Sequence, residues 1–211
     1  KNAPREMTKL MWLSQYFAAS AYQNKPFSDF KICTVVDLRP NLPNKPNFLN
    51  CYHCGQISPY VKSISLNDKL SDLGNKLRQN LLDQRNKNHQ FSMFKWSVNP
   101  DKIIPGVSLG YSAVGSMNIQ RPILDAYVGI IMGTSKATSP QTVTDALTLF
   151  NWSISNKSEK RNDFVTQIWY NPNVFDYKDI SHYGRRVEYF IRNISLDQQV
   201  GEVFNIIKKI K

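Results

Sequence analysis

Few residues in this chain pair a chemically capable side chain with a spacing that chemistry uses. Val35-Val36-Asp37-Leu38-Arg39-Pro40 reads as a β-branched strand ending on a carboxylate and a guanidinium. The loop Asn41-Leu42-Pro43 and then Phe48-Leu49-Asn50-Cys51 follow it. Charges placed where a strand stops stand at the rim of a sheet, where open α/β sheets gather functional groups. Cys51-Tyr52-His53-Cys54 is the second constellation. Its spacing supplies two corners of a zinc site, with His53 or Cys33 as a third, but no second such pair closes a structural site. The same spacing suits redox chemistry, although no clear helix start follows. Reduced, half-buried thiols in a cytosolic protein are the third reading.

Other chemistries are excluded by what surrounds their residues. The 3 histidines, His53, His89 and His182, sit in no catalytic pattern. His182, among Tyr183, Arg185 and Arg186, reads as a surface histidine. Gly110-Tyr111-Ser112 begins like a hydrolase nucleophile elbow, but its closing glycine, Gly115, stands one place too late for that strained turn. No glycine-rich phosphate loop is present. The acidic residues form no glycosidase pair. The expectation is therefore that no catalytic residue and no metal ligand set lies in this chain.

The elements that must position these groups alternate in type. Met7 to Tyr22 reads as a helix, with Leu10, Leu13 and Phe17 at helical spacing and small Ala18, Ala19 and Ala21 for close packing. Phe30 to Asp37 reads as a strand between Pro26 and Pro40, and Ile57 to Ile64 as another. Leu66, Leu70, Leu73, Leu77 and Leu81 stripe a helix over Ser65 to Gln84, with Ser65 and Asp68 as its capping pair. Residues 86 to 105 read as irregular. Strands are expected at Val107 to Ala113 and Ala126 to Met132, and a hairpin from Leu147 to Ser155 and Asp163 to Tyr170. Ile180, Tyr183, Val187, Phe190 and Ile191 mark a helix capped by Asp176 or Asp179. Asp197 to Lys211 forms a last short amphipathic one. No internal repeat is evident. The whole reads as one α/β unit, residues 1 to 211, with a mixed sheet flanked by helices.

Bulk properties bound the partners. At 211 residues and 41% hydrophobic content the chain can build a substantial core. Its net charge of +11 favours an anionic partner, such as a nucleotide-bearing cofactor, nucleic acid or an acidic surface. A Lys- and Asn-rich genome explains the same charge. The aromatics fall at core-type positions, so nucleic-acid binding rests on charge alone. Lys1 is no start methionine and no signal segment follows it, so the expectation is a fragment or processed product that is cytoplasmic. No apolar run spans a bilayer; Ile123 to Met132 comes nearest and is broken by Asp125. The basic tail of Lys208, Lys209 and Lys211 beside Ile206, Ile207 and Ile210 reads as a solvated terminus, with membrane association as the alternative. Three Asn-x-Ser sites, at Asn151, Asn156 and Asn193, read as unmodified.

The Asp37-x-Arg39 strand end, the leucine-proline loop and the Leu49-Asn50 step resemble the middle signature of the chloramphenicol-acetyltransferase-like superfamily. That superfamily includes condensation domains of peptide synthetases, plant-type acyltransferases and fungal alcohol acetyltransferases. Leu49 stands where its glycine usually is. The order of elements resembles the C-terminal half of that fold, from the Thr8 to Tyr22 helix to the hairpin and closing helix over Phe164 to Ile194. The resemblance implies acyl transfer from acyl-CoA to an alcohol or amine. The composition favours the fungal alcohol or amine acetyltransferase branch. The family's His-x-x-x-Asp base would come from an N-terminal half. No such motif occurs here, since His53, His89 and His182 are followed four places on by Ile57, Met93 and Arg186. The resemblance makes Asp37, Arg39 and Asn50 the interface to that half, with Arg39 left without a partner inside this chain. It makes Tyr111, Ser112, Gly115 and Ser116, in a strand and small-residue turn, the wall of the substrate tunnel. A non-catalytic binding or scaffold relative is the alternative, and a basic nucleic-acid-binding domain the second.

Overall fold

The first helix is buried all the way round over two turns, and its position explains why. Helix α1 (Ala3–Tyr22) has Met11, Trp12, Leu13, Tyr16, Phe17 and Ala18 all fully buried. Ser14 and Gln15, between them on the same two turns, are fully buried as well, so this stretch is enclosed on every side, as an interior helix is. Helix α1 lies against strand β5 (Leu109–Ile119) on one side and against helices α2 (Leu70–Asn86), α3 (Tyr177–Asn193) and α4 (Val200–Ile207) on others. Phe17 stacks on Phe190 of α3 with ring centroids 5.4 Å apart. The computed structural model describes residues 3–42, 54–91, 109–119, 147–156, 161–170, 172 and 175–211. None of its described helices is long and apolar enough to cross a membrane.

The sheet is mixed, as expected. Its order is β3 (Cys54–Ile57), β2 (Cys33–Asp37), β5, β6 (Leu147–Asn156), β7 (Arg161–Trp169). Strands β2, β5 and β6 run parallel, and β3 and β7 pair antiparallel at the two ends. The expected Leu147 to Tyr170 hairpin is β6–β7. Strands β1 (Phe30–Lys31) and β4 (Tyr60–Val61) form a separate antiparallel pair. That pair shares the register of β2–β3, so the four strands are one hairpin interrupted near Pro59. Proline has no N–H for the ladder, and its carbonyl takes the Ile32 N–H instead, at 3.1 Å. The expected single strand from Ile57 to Ile64 is therefore split, and its pairing begins earlier, at Cys54. The expected strand over Ala126 to Met132 lies outside the described residues.

Helix α2 starts four residues later than its leucine stripe suggests, at Leu70 rather than Leu66. Ser65 and Asp68 do bond, with the Ser65 N–H reaching Asp68 Oδ2 at 3.0 Å, but they close a free-standing turn. Leu66 is consequently 53% exposed, while Leu70, Leu73, Leu77 and Leu81 are buried. The same turn recurs ahead of α4, where the Ser195 N–H reaches Gln198 Oε1 at 3.0 Å. In both, the serine hydroxyl accepts from the amide two residues on, at 3.3 Å.

These turns cap each other's helices. The Leu70 and Ser71 amides donate to Gln198 and Leu196 carbonyls at 3.0 and 2.8 Å. Val200 and Gly201 amides return the bonds to Asp68 and Leu66, at 2.9 and 2.8 Å. Amides left open at each helix start are thus satisfied across a local two-fold. A short structural repeat, not evident from the sequence pattern, is therefore present as the Ser65-Leu66 and Ser195-Leu196 turns. Asp68→Ala is expected to cost about 1 kcal/mol. It should also speed hydrogen exchange at Val200 and Gly201, far away in sequence; exchange faster only at Ser65 would refute the coupling.

Candidate functional site

The charged strand end forms as a compact turn. Asp37 is the last residue of β2, opposite Cys54 in the register. Leu38 then turns inward, at 3% exposure, and Arg39–Asn41 make one 3-10 turn with Pro40 pre-setting its φ. The bend at Leu38 brings Arg39 to the Asp37 carboxylate. Its backbone N–H donates to Asp37 Oδ1 at 3.0 Å, its Nε to the same oxygen at 2.8 Å, and a terminal nitrogen to Oδ2 at 2.7 Å. This is the two-point fork that guanidinium and carboxylate geometry favours.

The pair overturns the expectation that Arg39 has no partner within the chain. An aspartate two residues back, at a turn, meets the guanidinium. The side chains remain 26% exposed for Arg39 and 44% for Asp37, so the pair stands at the surface. A second guanidinium stands near: the field of Arg85, from α2, also favours the Asp37 carboxylate. An Arg85 terminal nitrogen donates to Asn41 Oδ1 at 3.2 Å. Arg85 and Asn41 were not singled out from sequence, because their meeting depends on where α2 packs. Asn50 lies outside the described residues.

Hydrogen bonds from the Arg39 side chain hold the Asp37 carboxyl below its ordinary value of 3.8, with burial opposing. The folded form gains from the ionised carboxylate at every pH above that ordinary value. The gain fades as pH falls through the depressed one. Carbon NMR of the Asp37 carboxyl should therefore show a midpoint below 3.8, returning toward it in Arg39→Gln. A midpoint unmoved by the substitution would show that the fork does not form in solution.

The tunnel residues are arranged differently from expectation. Leu109 to Ile119 is one continuous strand, and the expected small-residue turn is a register shift between Ala113 and Gly115 inside it. Tyr111 faces the helices and is 2% exposed. Burial pushes its phenol up to about 12, with hydrogen bonds to Thr8 and Asn151 pulling the other way. It is neutral at ordinary pH and ties α1 to the sheet. Ser112, adjacent on the strand, points to the other face and is 6% exposed. Tyr111 and Ser112 therefore cannot line one wall together. Gly115 and Ser116 stand opposite Trp152 and Ser153 in the β5–β6 register.

Other candidates stay apart. Cys33 and Cys54 are free thiols, and burial raises the Cys33 thiol above its ordinary range. Cys51 and His53 lie outside the described residues. Among the described residues, no three His, Cys, Asp or Glu side chains gather as a metal site would require. His182 is half-buried on α3.

No family model and no curated protein matches this chain. Solved structures do. A mutant of the starter condensation domain of the rhizomide synthetase aligns with 93% of this chain at a TM-score of 0.57 and 11% identity. The complex of the X-domain and OxyB from teicoplanin biosynthesis aligns with 92%, at 0.57 and 11%. The first condensation domain of the CDA synthetase aligns with 92%, at 0.54 and 9%. The chain spans 44%, 41% and 41% of those chains, less than half of each. The chain thus shares part of the fold of condensation domains, as its order of elements leads one to expect.

Proposed function

We propose that this chain is the C-terminal half of an acyltransferase that moves an acyl group from acyl-CoA to an alcohol or amine. The single observation that carries the reading is the forked Asp37–Arg39 pair at the carboxyl end of β2, within a fold shared with condensation domains. Open α/β sheets present their functional groups at that end of their parallel strands.

In the reaction, an acceptor oxygen or nitrogen attacks the thioester carbonyl carbon. The carbon–sulfur bond then breaks, and the departing thiolate takes up the proton lost by the acceptor. A histidine base removes that proton, and its family motif has no counterpart in this sequence. This chain's part is to hold the strand end against the segment bearing the base. A net charge of +11 suits the phosphates of coenzyme A.

The test is to incubate the protein, as its gene encodes it, with acetyl-CoA and a panel of alcohols and amines, and to read products by mass spectrometry. An ester or amide formed only with acceptor present supports the reading. Absence of product across the panel favours a binding or scaffold protein of the same fold.

A further inference from the structure

We propose that a cavity at the amino ends of the parallel strands binds a small apolar amine, at a site separate from the Asp37–Arg39 end. The cavity measures about 310 Å³, at the lower end of the range for small-molecule sites, roughly 300–1,000 Å³. It opens where β1 begins at Phe30 and where β5 and β6 begin at Leu109 and Leu147. Asp37 lies seven residues further along the hairpin strand, roughly 23 Å away at about 3.3 Å per residue. The two sites are at opposite rims of one sheet, and the proposal does not depend on acyl transfer.

The walls and the mouth differ in chemistry. Phe30, Leu147, Ile180 and Tyr183 are 3–8% exposed and give an apolar floor. Tyr22 and Phe175 stand at the mouth, edge to face, with ring centroids 5.9 Å apart. Two carboxylates share the lining, Asp29 and Asp179. Each is oriented by a hydrogen bond: Tyr22 Oη donates to Asp179 Oδ2 at 3.3 Å, and the Ser63 N–H donates to Asp29 Oδ1 at 2.9 Å. Among the described residues Lys31 is the one cation of the lining, so the described lining carries a net negative charge on a chain of net +11.

An ammonium ion on an apolar stem fits each part. The stem removes the floor from water, and the cation meets aromatic faces and carboxylates together. An anion meets two carboxylates, and a neutral ligand leaves them unused. Asp179 also sits in the first turn of α3, where a carboxylate helps the helix form. A substitution must therefore be read against a neutral ligand of the same shape.

The probes are 2-phenylethylammonium and 2-phenylethanol, titrated into the whole chain by calorimetry, with amide shifts locating the site. The ammonium is expected to bind tighter than the alcohol by about tenfold or more, with shifts at Phe30, Leu147 and Tyr183. Asp29→Asn and Asp179→Asn should each weaken the ammonium several-fold and leave the alcohol unchanged. Ala19→Leu, which fills the cavity, should weaken both, and Arg39→Gln should weaken neither. Equal affinity for the two probes, no binding, or shifts confined elsewhere would overturn the proposal.

Discussion

Trp12→Ala is expected to lower the unfolding free energy by about 3–5 kcal/mol, the usual cost of removing a fully buried indole. Trp12 is fully buried in the middle of α1. Its Nε1 donates to Thr34 Oγ1 at 3.1 Å, so it pins α1 to β2, the strand that ends on Asp37. The loss has two parts, a cavity and an orphaned hydroxyl. Thr34→Val separates them, because it keeps the volume and leaves only the indole N–H unpaired, at about 1–3 kcal/mol. Urea unfolding followed by tryptophan-independent far-ultraviolet dichroism measures both. A Trp12→Ala loss below about 1 kcal/mol would mean that α1 is not the buried centre of the fold.

Gly55→Ala is the second large effect. Gly55 pairs with Val36 on β3. A methyl group there would stand inside contact distance of the Gln90 backbone carbonyl and 2.7 Å from Leu38 Cδ2. A backbone atom cannot step aside as a flexible side-chain tip can, so β3 and the His89–Phe91 turn must part. Overpacking of this kind costs about 1–3 kcal/mol. Leu38 separates Asp37 from Arg39, so its displacement should also loosen the fork. The expected sign is a lowered unfolding midpoint with the Asp37 carboxyl midpoint moving up toward its ordinary value. An unchanged midpoint in both measurements would refute the close approach of the two segments.

Much of the architecture was legible because local chemistry and packing agreed. The apolar spacing of α1 and the Leu147 to Tyr170 hairpin read directly from pattern, and of the two caps the pattern offers for α3 the structure uses Asp176, whose Oδ1 takes the Asp179 N–H at 2.7 Å. The start of α2 did not. Ser65 and Asp68 have the residue types of a capping pair, but tertiary bonds from Leu196 and Gln198 set where the helix begins. The glycines and serine of residues 110–115 suggested a turn, yet the strand runs straight through with a local shift, because neighbouring β6 pairs along it. The strand-end charges were found by type and position. Their mutual pairing was not legible, because it needs the backbone at Leu38 to turn so that the Arg39 N–H and side chain both reach the Asp37 carboxylate. Gly55 and Arg85 carried no local signal, since each matters only through segments distant in sequence, Leu38 and Gln90 for the first and Asn41 for the second.

The most direct measurement is acceptor-dependent thiol release from acetyl-CoA by the protein as its gene encodes it, with wild type and Arg39→Gln side by side. Surface pairs add little to stability, so both proteins should unfold at nearly the same midpoint. A strand end that positions the reacting groups gives thiol release that requires an alcohol or amine. It should fall about 10- to 100-fold in Arg39→Gln. Thiol release at the same rate in both proteins, or release indifferent to acceptor, would contradict the role assigned to Asp37 and Arg39.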